Sequence, residues 1–104
     1  MMGDVHYLKT WSTPFQATFD GLKSYELREF DRDFKIGDLV VLDEYLPREK
    51  KYTGRRIIRI ITYLNAPGQW GLRGEIGVLG TREVSDWLQS GVKYKTHAEL
   101  AQVL

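Results

Sequence analysis

Cysteine is absent from this 104-residue sequence, which excludes disulfide bonds and thiolate-ligated metal sites. Long apolar runs are absent as well, because no segment approaches the ~20 consecutive apolar residues that a membrane-spanning helix needs. The first residues contain no basic region followed by an apolar stretch, so no secretory signal peptide is predicted. These absences together lead us to expect a cytoplasmic protein without a membrane partner.

Net charge is also small, at +1, and alone it gives no reason to expect a nucleic acid partner. The distribution of charge is more informative, because six basic residues and one acid, Glu49, lie between Arg48 and Arg59. The basic residues are Arg48, Lys50, Lys51, Arg55, Arg56 and Arg59. Such a patch can bind phosphates on a near-neutral domain, but charged side chains also protect an exposed hairpin from aggregation. Both interpretations stay open.

The sequence lacks the local motifs of several enzyme and cofactor-binding classes. There is no glycine-rich phosphate loop of the P-loop or Rossmann type, and no serine in the strand–turn–helix context of a nucleophile elbow. His6 and His97 lie far apart, and no histidine or carboxylate spacing indicates a metal site. We therefore expect neither a metal ion nor a cofactor.

The length predicts a single domain over residues 1–104, and a chain of this size can bury an adequate core without staples. Strand patterns occupy residues 5–11, 25–30, 39–45, 55–64 and 75–79. A charged connection is expected at 47–54 and a glycine-rich loop at 64–74. Short strands with one early helix predict an α+β fold, a small mixed β-barrel of about five to six strands.

The early helix has start and stop signals in the sequence. Thr13 can cap the helix, and Pro14 suits the first helical position. Gly21 can adopt the left-handed conformation that ends a helix. The apolar residues at helical spacing are expected to face the core: Phe15, Phe19 and Leu22.

The C-terminal part, residues 81–104, reads as a helical extension packed on the barrel. Thr81 is the expected cap of a first helix, and a capping-box pattern at 96–99 begins a second. The expected apolar stripe consists of Val84, Trp87 and Leu88. This stripe is either part of the core or a dimerisation surface. Trp11 and Trp87 are both expected in the core.

The segment Gly21–Arg28 places three charged residues at the transition from helix to strand. Glu26 and Arg28 are two residues apart on a strand and therefore share a face, which Lys23 can reach from the preceding turn. Their convergence would form a small polar pocket. The alternative is a surface lysine and a structural ion pair, since such pairs resemble active-site pairs.

The same residues resemble a known family. Gly21, Lys23, Glu26 and Arg28 follow the order G-x-K-x-x-E-x-R between a short helix and a strand, which is similar to the motif of the ASCH family, a branch of the PUA-like β-barrels. Lys35-Ile36-Gly37-Asp38 fits the family's step into the next strand. The resemblance covers roughly residues 5 to 80 and extends to a small bacterial and phage branch, through Gly71-Leu72 and Val78-Leu79-Gly80.

The resemblance implies a module that binds RNA or a nucleotide derivative in a cleft between the first helix and the barrel, lined by Lys23, Glu26 and Arg28. Further candidate contacts extend this surface: Arg32, Arg55, Arg56, Tyr63 and Trp70. Trp70 lies in the glycine-rich loop, where an exposed ring can stack on a base. The alternative for Trp70 is a ring folded over the end of the barrel.

Two other functions remain open. Some ASCH proteins are amidohydrolases of an acetylated cytidine and others are described as ribonucleases, which implies Lys23 and Glu26 as catalytic residues. The amidohydrolase pattern has a threonine where this chain has Glu26, and its further glutamate has only Glu75 as a late candidate here. The last alternative is a protein-interaction module that uses the C-terminal helices.

Overall fold

A computed structural model describes residues 3–84 of the chain. The described elements, in chain order, are β1 (Val5–Trp11), α1 (Ser12–Phe19), β2 (Tyr25–Glu29), β3 (Leu39–Leu46), β4 (Lys51–Asn65) and β5 (Ile76–Glu83). A short 3-10 turn, Gln69–Gly71, lies in the loop between β4 and β5. This confirms a small fold of strands with one early helix. No helix in the described range has the length and apolar character to cross a bilayer.

The five strands form one curled sheet, a half-barrel with the order β1-β3-β4-β5-β2. β1 runs parallel to β3, and the other three pairings are antiparallel. β1 and β2 are therefore the two edges of the sheet, and within residues 3–84 no backbone ladder joins them. α1 connects these two edges in the sequence and packs against β1 and β3.

The concave face of the half-barrel holds the main apolar core. Its buried members come from every strand except β2, together with α1 and the β2–β3 connection: Leu8, Phe15, Phe34, Val40, Leu42, Ile57, Ile61 and Leu79. β3 is buried on both faces, as its run of four apolar residues indicates. On its convex face, Leu39 and Val41 pack with Ile58. β3 is thus the centre of the fold.

β4 and β5 are both longer than the sequence pattern predicts, and the reason for β4 lies in the hairpin before it. β4 begins at Lys51 because the charged hairpin continues the ladder, with Tyr45 opposite Tyr52. β4 uses two more residues than β3 between this pair and the pair Asp43–Arg56, and Gly54 in this bulge has φ +92°. Glycine tolerates that backbone region, so Gly54 marks a bulge within the strand and not its boundary.

Thr81 does not cap a helix, contrary to the prediction. It lies in β5, which continues to Glu83, and it pairs with Ile61. Its hydroxyl accepts a hydrogen bond from Arg59 Nε at 3.0 Å. The threonine lies in a strand here, where its hydroxyl oxygen is the hydrogen-bond acceptor for a buried arginine. Val84, a member of the expected stripe, follows β5 outside any helix and packs against the cluster of Leu39, Val41 and Ile58. Residues 85–104 of the expected C-terminal helices lie outside the described residues.

Three further predictions are wrong, two about the helix and one about the burial of Trp11. α1 begins at Ser12, so Thr13 lies inside the helix and Pro14 in its first turn, and no side chain caps the N-terminus. Leu22 is 82% exposed, because it lies beyond the end of α1 on the turn. Trp11 is 59% exposed, because it is the last residue of edge strand β1, where nothing pairs on the outer side.

Asp38 organises the turn that leads into β3. Its buried carboxylate accepts hydrogen bonds from the backbone N–H groups of Asp4 and Lys35, at 3.0 Å each, and contacts His6 Nε2 at 2.7 Å. Burial acts to raise the pKa of Asp38, but these hydrogen bonds outweigh it, so the pKa lies below the ordinary value. The carboxylate thus fastens the start of β1 to the start of β3.

Asp38→Asn is expected to destabilise the fold by about 1–3 kcal/mol at pH 7, because an amide is a poorer acceptor for these donors. Because the pKa of Asp38 is lowered in the folded state, its stabilisation is complete above pH ~4 and is lost as the pH falls further. Urea unfolding of both proteins at pH 7 and below pH 4 measures this. A stability difference that stays constant with pH would contradict it.

Candidate functional site

The end of α1 sets the position of the first charged residue. The N–H of Gly21 bonds to the Thr18 carbonyl at 3.1 Å, and the N–H of Leu22 bonds to the Ala17 carbonyl at 2.9 Å. This is a Schellman motif, with Gly21 at φ +78° as its left-handed residue. The motif reverses the chain, so that Lys23 returns toward β2. The predicted role of Gly21 is confirmed.

Glu26 lies on the concave face of β2, opposite Leu79 of β5, and is only 3% exposed. Its Oε2 is 2.6 Å from Lys23 Nζ, and its Oε1 accepts hydrogen bonds from Arg28 Nε at 3.1 Å and Nη2 at 2.8 Å. Lys23 also donates to the Tyr25 carbonyl and lies 4.9 Å from the centre of that ring. The three charged side chains therefore converge, and the buried carboxylate is paired, as burial of a charge requires.

Arg28 also bridges the two edges of the sheet. Its Nη1 donates to the Lys9 carbonyl at 2.8 Å, and its Nη2 donates to Thr10 Oγ1 at 2.9 Å. Arg32 makes a longer contact, 3.4 Å, from Nη1 to the Tyr7 carbonyl. The carbonyls of alternate residues point to the same side of a strand. Arginine side chains thus occupy the edge of β1 that a further strand would otherwise pair with.

An open pocket of about 330 Å³ lies over these groups, at the end of α1 and between the two edge strands. Its lining residues are Lys9, Thr10, Trp11, Pro14, Lys23, Glu26, Leu27 and Arg28. We call this the Lys23 pocket. It lies between the first helix and the curled sheet.

The sequence reasoning missed the contribution of β1 to this pocket. Thr10 is buried and holds Arg28, while the ring of Trp11 is exposed at the rim. One signal was present, since alternation along Val5–Trp11 puts Thr10 on the same face as buried Leu8. A polar residue at the end of such a series indicates a polar partner across the interior.

Several predicted contacts do not line the Lys23 pocket. Arg55 Nη2 donates to Gln16 Oε1 on α1 at 3.0 Å, and Arg56 pairs with Asp43 on the convex face. Tyr63 is exposed opposite Gly80, also on the convex face. The basic hairpin is thus divided between the helix and the outer surface, and does not form one phosphate-binding patch.

Trp70 and Glu75 lie at the other end of the β2–β5 pair. Trp70 is 89% exposed, so its ring is not folded over the barrel. Glu75 is exposed and its carbonyl accepts from the N–H of Phe30. Leu79 opposes Glu26, and Glu75 lies four residues before Leu79 in the chain, a distance of roughly 13 Å. Lys23 lies beside Glu26, so Glu75 is too far away to join these two residues in one catalytic site.

Arg32 lines a second cavity, of about 270 Å³, on the other side of Arg28. Its lining residues are Tyr7, Leu8, Lys9, Arg28, Glu29, Asp31 and Arg32. Arg32 Nε donates to Asp31 Oδ1 at 3.0 Å, and this hydrogen bond lowers the pKa of the Asp31 carboxyl. We call this cavity the Arg32 pocket.

Arg59 is the other buried cation of the concave face. Burial lowers its pKa from the ordinary value, while Glu83 and Glu26 oppose this effect. Its Nη2 donates to the Thr81 carbonyl at 2.9 Å. Arg59 therefore adds positive potential behind Glu26. Within residues 3–84, no group of three or more histidine or carboxylate side chains is placed to hold a metal ion.

The sequence of the chain matches a family model described as a domain of unknown function, DUF3850, over residues 5–81. The chain belongs to the DUF3850 family. A curated relative is an uncharacterised 12.9 kDa protein of the GpA 3' region of Escherichia phage P2, 30% identical over 70 residues. The alignment covers 67% of this chain and 62% of the relative. The DUF3850 match includes β1 to β4, most of β5 and both pockets.

Glu26→Ala is expected to destabilise this DUF3850 domain by about 3 kcal/mol or more, because two partly buried cations lose their carboxylate. The matched control is Asp33→Ala, whose partner Lys35 lies 3.5 Å away in an exposed pair. Exposed pairs contribute less than about 1 kcal/mol. Chemical unfolding at pH 7 measures both changes. Equal effects of the two substitutions would contradict the structural importance of Glu26.

Proposed function

We propose that the Lys23 pocket binds RNA or a nucleotide derivative. The observation that carries the proposal is the buried Glu26 carboxylate, held between Lys23 and Arg28 on the wall of an open pocket with an exposed Trp11 at its rim. Apolar residues would stabilise the inside of a small barrel more simply, since desolvation of charges is costly. Charged groups that face a pocket of this size suit a polar ligand.

Each group has a specific role in this proposal. A lysine ammonium has three N–H donors, and two of those of Lys23 go to Glu26 and the Tyr25 carbonyl. The third donates to a phosphate or carbonyl of the ligand. The carboxylate of Glu26 accepts three hydrogen bonds from its two cations, and one acceptor position remains for a donor on a base edge.

Trp11 supplies the apolar part of the proposed site. Its ring lies at the mouth of the pocket beside Pro14, where a base can stack on it. Such stacking contributes ~1–3 kcal/mol per base and tolerates all bases. Arg28 supports the site from behind, because its contacts to Glu26, Lys9 and Thr10 use four of the five N–H donors of a guanidinium.

Membership of the ASCH and PUA-like group is part of the same proposal. The support is positional: the residues of the G-x-K-x-x-E-x-R order surround one pocket, between the first helix and a curled sheet. A small hydrolase is the second candidate, favoured by the 2.6 Å contact between Lys23 Nζ and the buried carboxylate. Both oxygens of Glu26 already accept hydrogen bonds from Lys23 and Arg28, however, which leaves little room for it to take a proton from a substrate. We therefore favour binding.

The proposal is tested by titrating the protein with the four ribonucleoside monophosphates and with a mixed-sequence RNA hexamer, using calorimetry at low salt. We expect measurable affinity for at least one of them. Lys23→Ala is expected to weaken it at least about tenfold, because a charge-assisted hydrogen bond is lost. Trp11→Ala is expected to weaken it roughly 5- to 150-fold through lost stacking.

Trp70→Ala is the matched control, because it removes an exposed indole outside the Lys23 pocket. It is expected to leave monophosphate affinity unchanged. Thermal unfolding of each variant separates lost binding from lost folding. Incubation with N4-acetylcytidine and RNA, followed by chromatography, detects a product, and turnover abolished in Lys23→Ala would favour the hydrolase. Absence of binding and turnover in the folded wild-type protein would overturn the proposal.

A further inference from the structure

The Lys23 pocket and the Arg32 pocket share two lining residues, Lys9 and Arg28. The two cavities therefore lie side by side along the opening between β1 and β2, on either side of Arg28. Their volumes are about 330 and 270 Å³, near the lower limit of ~300–1,000 Å³ for small-molecule sites. Neither cavity alone is large, and we call the two adjacent cavities together the groove.

Basic side chains line both cavities. Lys23 lies in the first cavity, Arg28 lies at the boundary, and Arg32 lies in the second. Lys9 contributes its carbonyl, which accepts from Arg28, while its ammonium lies 4.3 Å from the centre of the Tyr45 ring on β3. Three carboxylates also line it: Glu26 and Asp31 are each paired with groove cations, and Glu29 lies in the Arg32 pocket. A polyanion that follows the groove meets Lys23, Arg28 and Arg32 in turn.

An aromatic side chain accompanies each cavity. Trp11 lies at the rim of the Lys23 pocket, and Tyr7, half-exposed, lines the Arg32 pocket. One face of the Tyr7 ring is occupied by Arg56, whose guanidinium carbon lies 5.3 Å from the ring centre. An alternation of basic groups with exposed rings is typical of surfaces that bind single-stranded nucleic acid.

We infer that the ligand of this groove is a single-stranded RNA segment of at least two nucleotides, with one nucleotide in the Lys23 pocket and its neighbour in the Arg32 pocket. This inference rests on the proposed function and specifies its ligand class. The phosphate between the two nucleotides lies over Arg28, which has one N–H donor left for it. Arg32 contacts the next phosphate, and Tyr7 stacks on the second base. A mononucleotide fills only half of the groove.

The test is a chain-length series at fixed salt: one ribonucleoside monophosphate, and mixed-sequence RNAs of two, four and six nucleotides. Affinity is expected to rise at least tenfold from the monophosphate to the dinucleotide, since a second base and a second phosphate are bound. Arg32→Ala is expected to remove most of that gain. The salt slope of log K for the hexamer is also expected to fall by about 0.7, as one phosphate contact is lost.

Arg32→Lys and Lys35→Ala are the controls. Arg32→Lys keeps the charge, so the salt slope is retained even where the planar contact is lost. Lys35 is an exposed lysine outside both cavities, and its replacement is expected to leave the chain-length series unchanged. Its backbone N–H, which bonds Asp38, is kept by alanine.

The outcomes separate this inference from the function on which it rests. Monophosphate binding with no gain at two nucleotides would overturn the inference and keep the proposed function. A gain that Arg32→Ala leaves intact would also overturn it, because the second nucleotide would then lie elsewhere. Absence of binding to every member of the series would overturn both. DNA of the same sequences reports whether the 2′-hydroxyl groups are recognised.

Discussion

The burial of one carboxylate constrains much of this structure. Glu26 lies on the concave face of the sheet, where the other strands place apolar residues, and a buried charge without partners would cost several kcal/mol. Three features supply its partners: the glycine turn after α1 delivers Lys23, the alternation of β2 delivers Arg28, and the end of β1 delivers Thr10 to hold Arg28. The polar end of the half-barrel is organised around this group.

Open sheet edges favour unwanted pairing with other chains, and natural proteins protect them. In this fold the protection comes from side chains. Arg28 and Arg32 donate to carbonyls of β1 across the opening, which satisfies acceptors without closing the ladder. A closed ladder would leave no space between the strands. The same arginines therefore keep the edges apart and leave room for two cavities.

Much of the fold follows from local patterns in the sequence. The alternation in Val5–Trp11, the apolar run in β3 and the stop at Gly21 predict elements that the structure has. The convergence of Lys23, Glu26 and Arg28 follows from the period of a strand. Errors occur where a residue's surroundings come from distant parts of the chain. Thr81 reads as a cap, yet a strand and a buried arginine surround it.

The cavity walls were harder to predict for the same reason. Trp11 is an apolar residue in a strand pattern, and only the position of β1 at the sheet edge shows that it is exposed. The pairing of Arg28 with the Lys9 carbonyl requires that β1 and β2 approach each other, which depends on the curl of the whole sheet. Arg55 and Arg56, by contrast, lie on different faces simply because successive residues of a strand alternate.

The order of the strands has a consequence for how the site comes into existence. Only α1 separates β1 from β2 in the chain. The two strands nevertheless form opposite edges of a sheet whose three inner strands come later. β2 finds its ladder partner in β5, more than 45 residues further on. Contacts of such long range form slowly and cooperatively. When β2 has just been synthesised, almost all the residues that line the pockets are present in the chain. The pockets themselves cannot form until the three inner strands are added. The pockets are thus a property of the finished sheet, and a ligand that binds only the folded form would stabilise the whole domain.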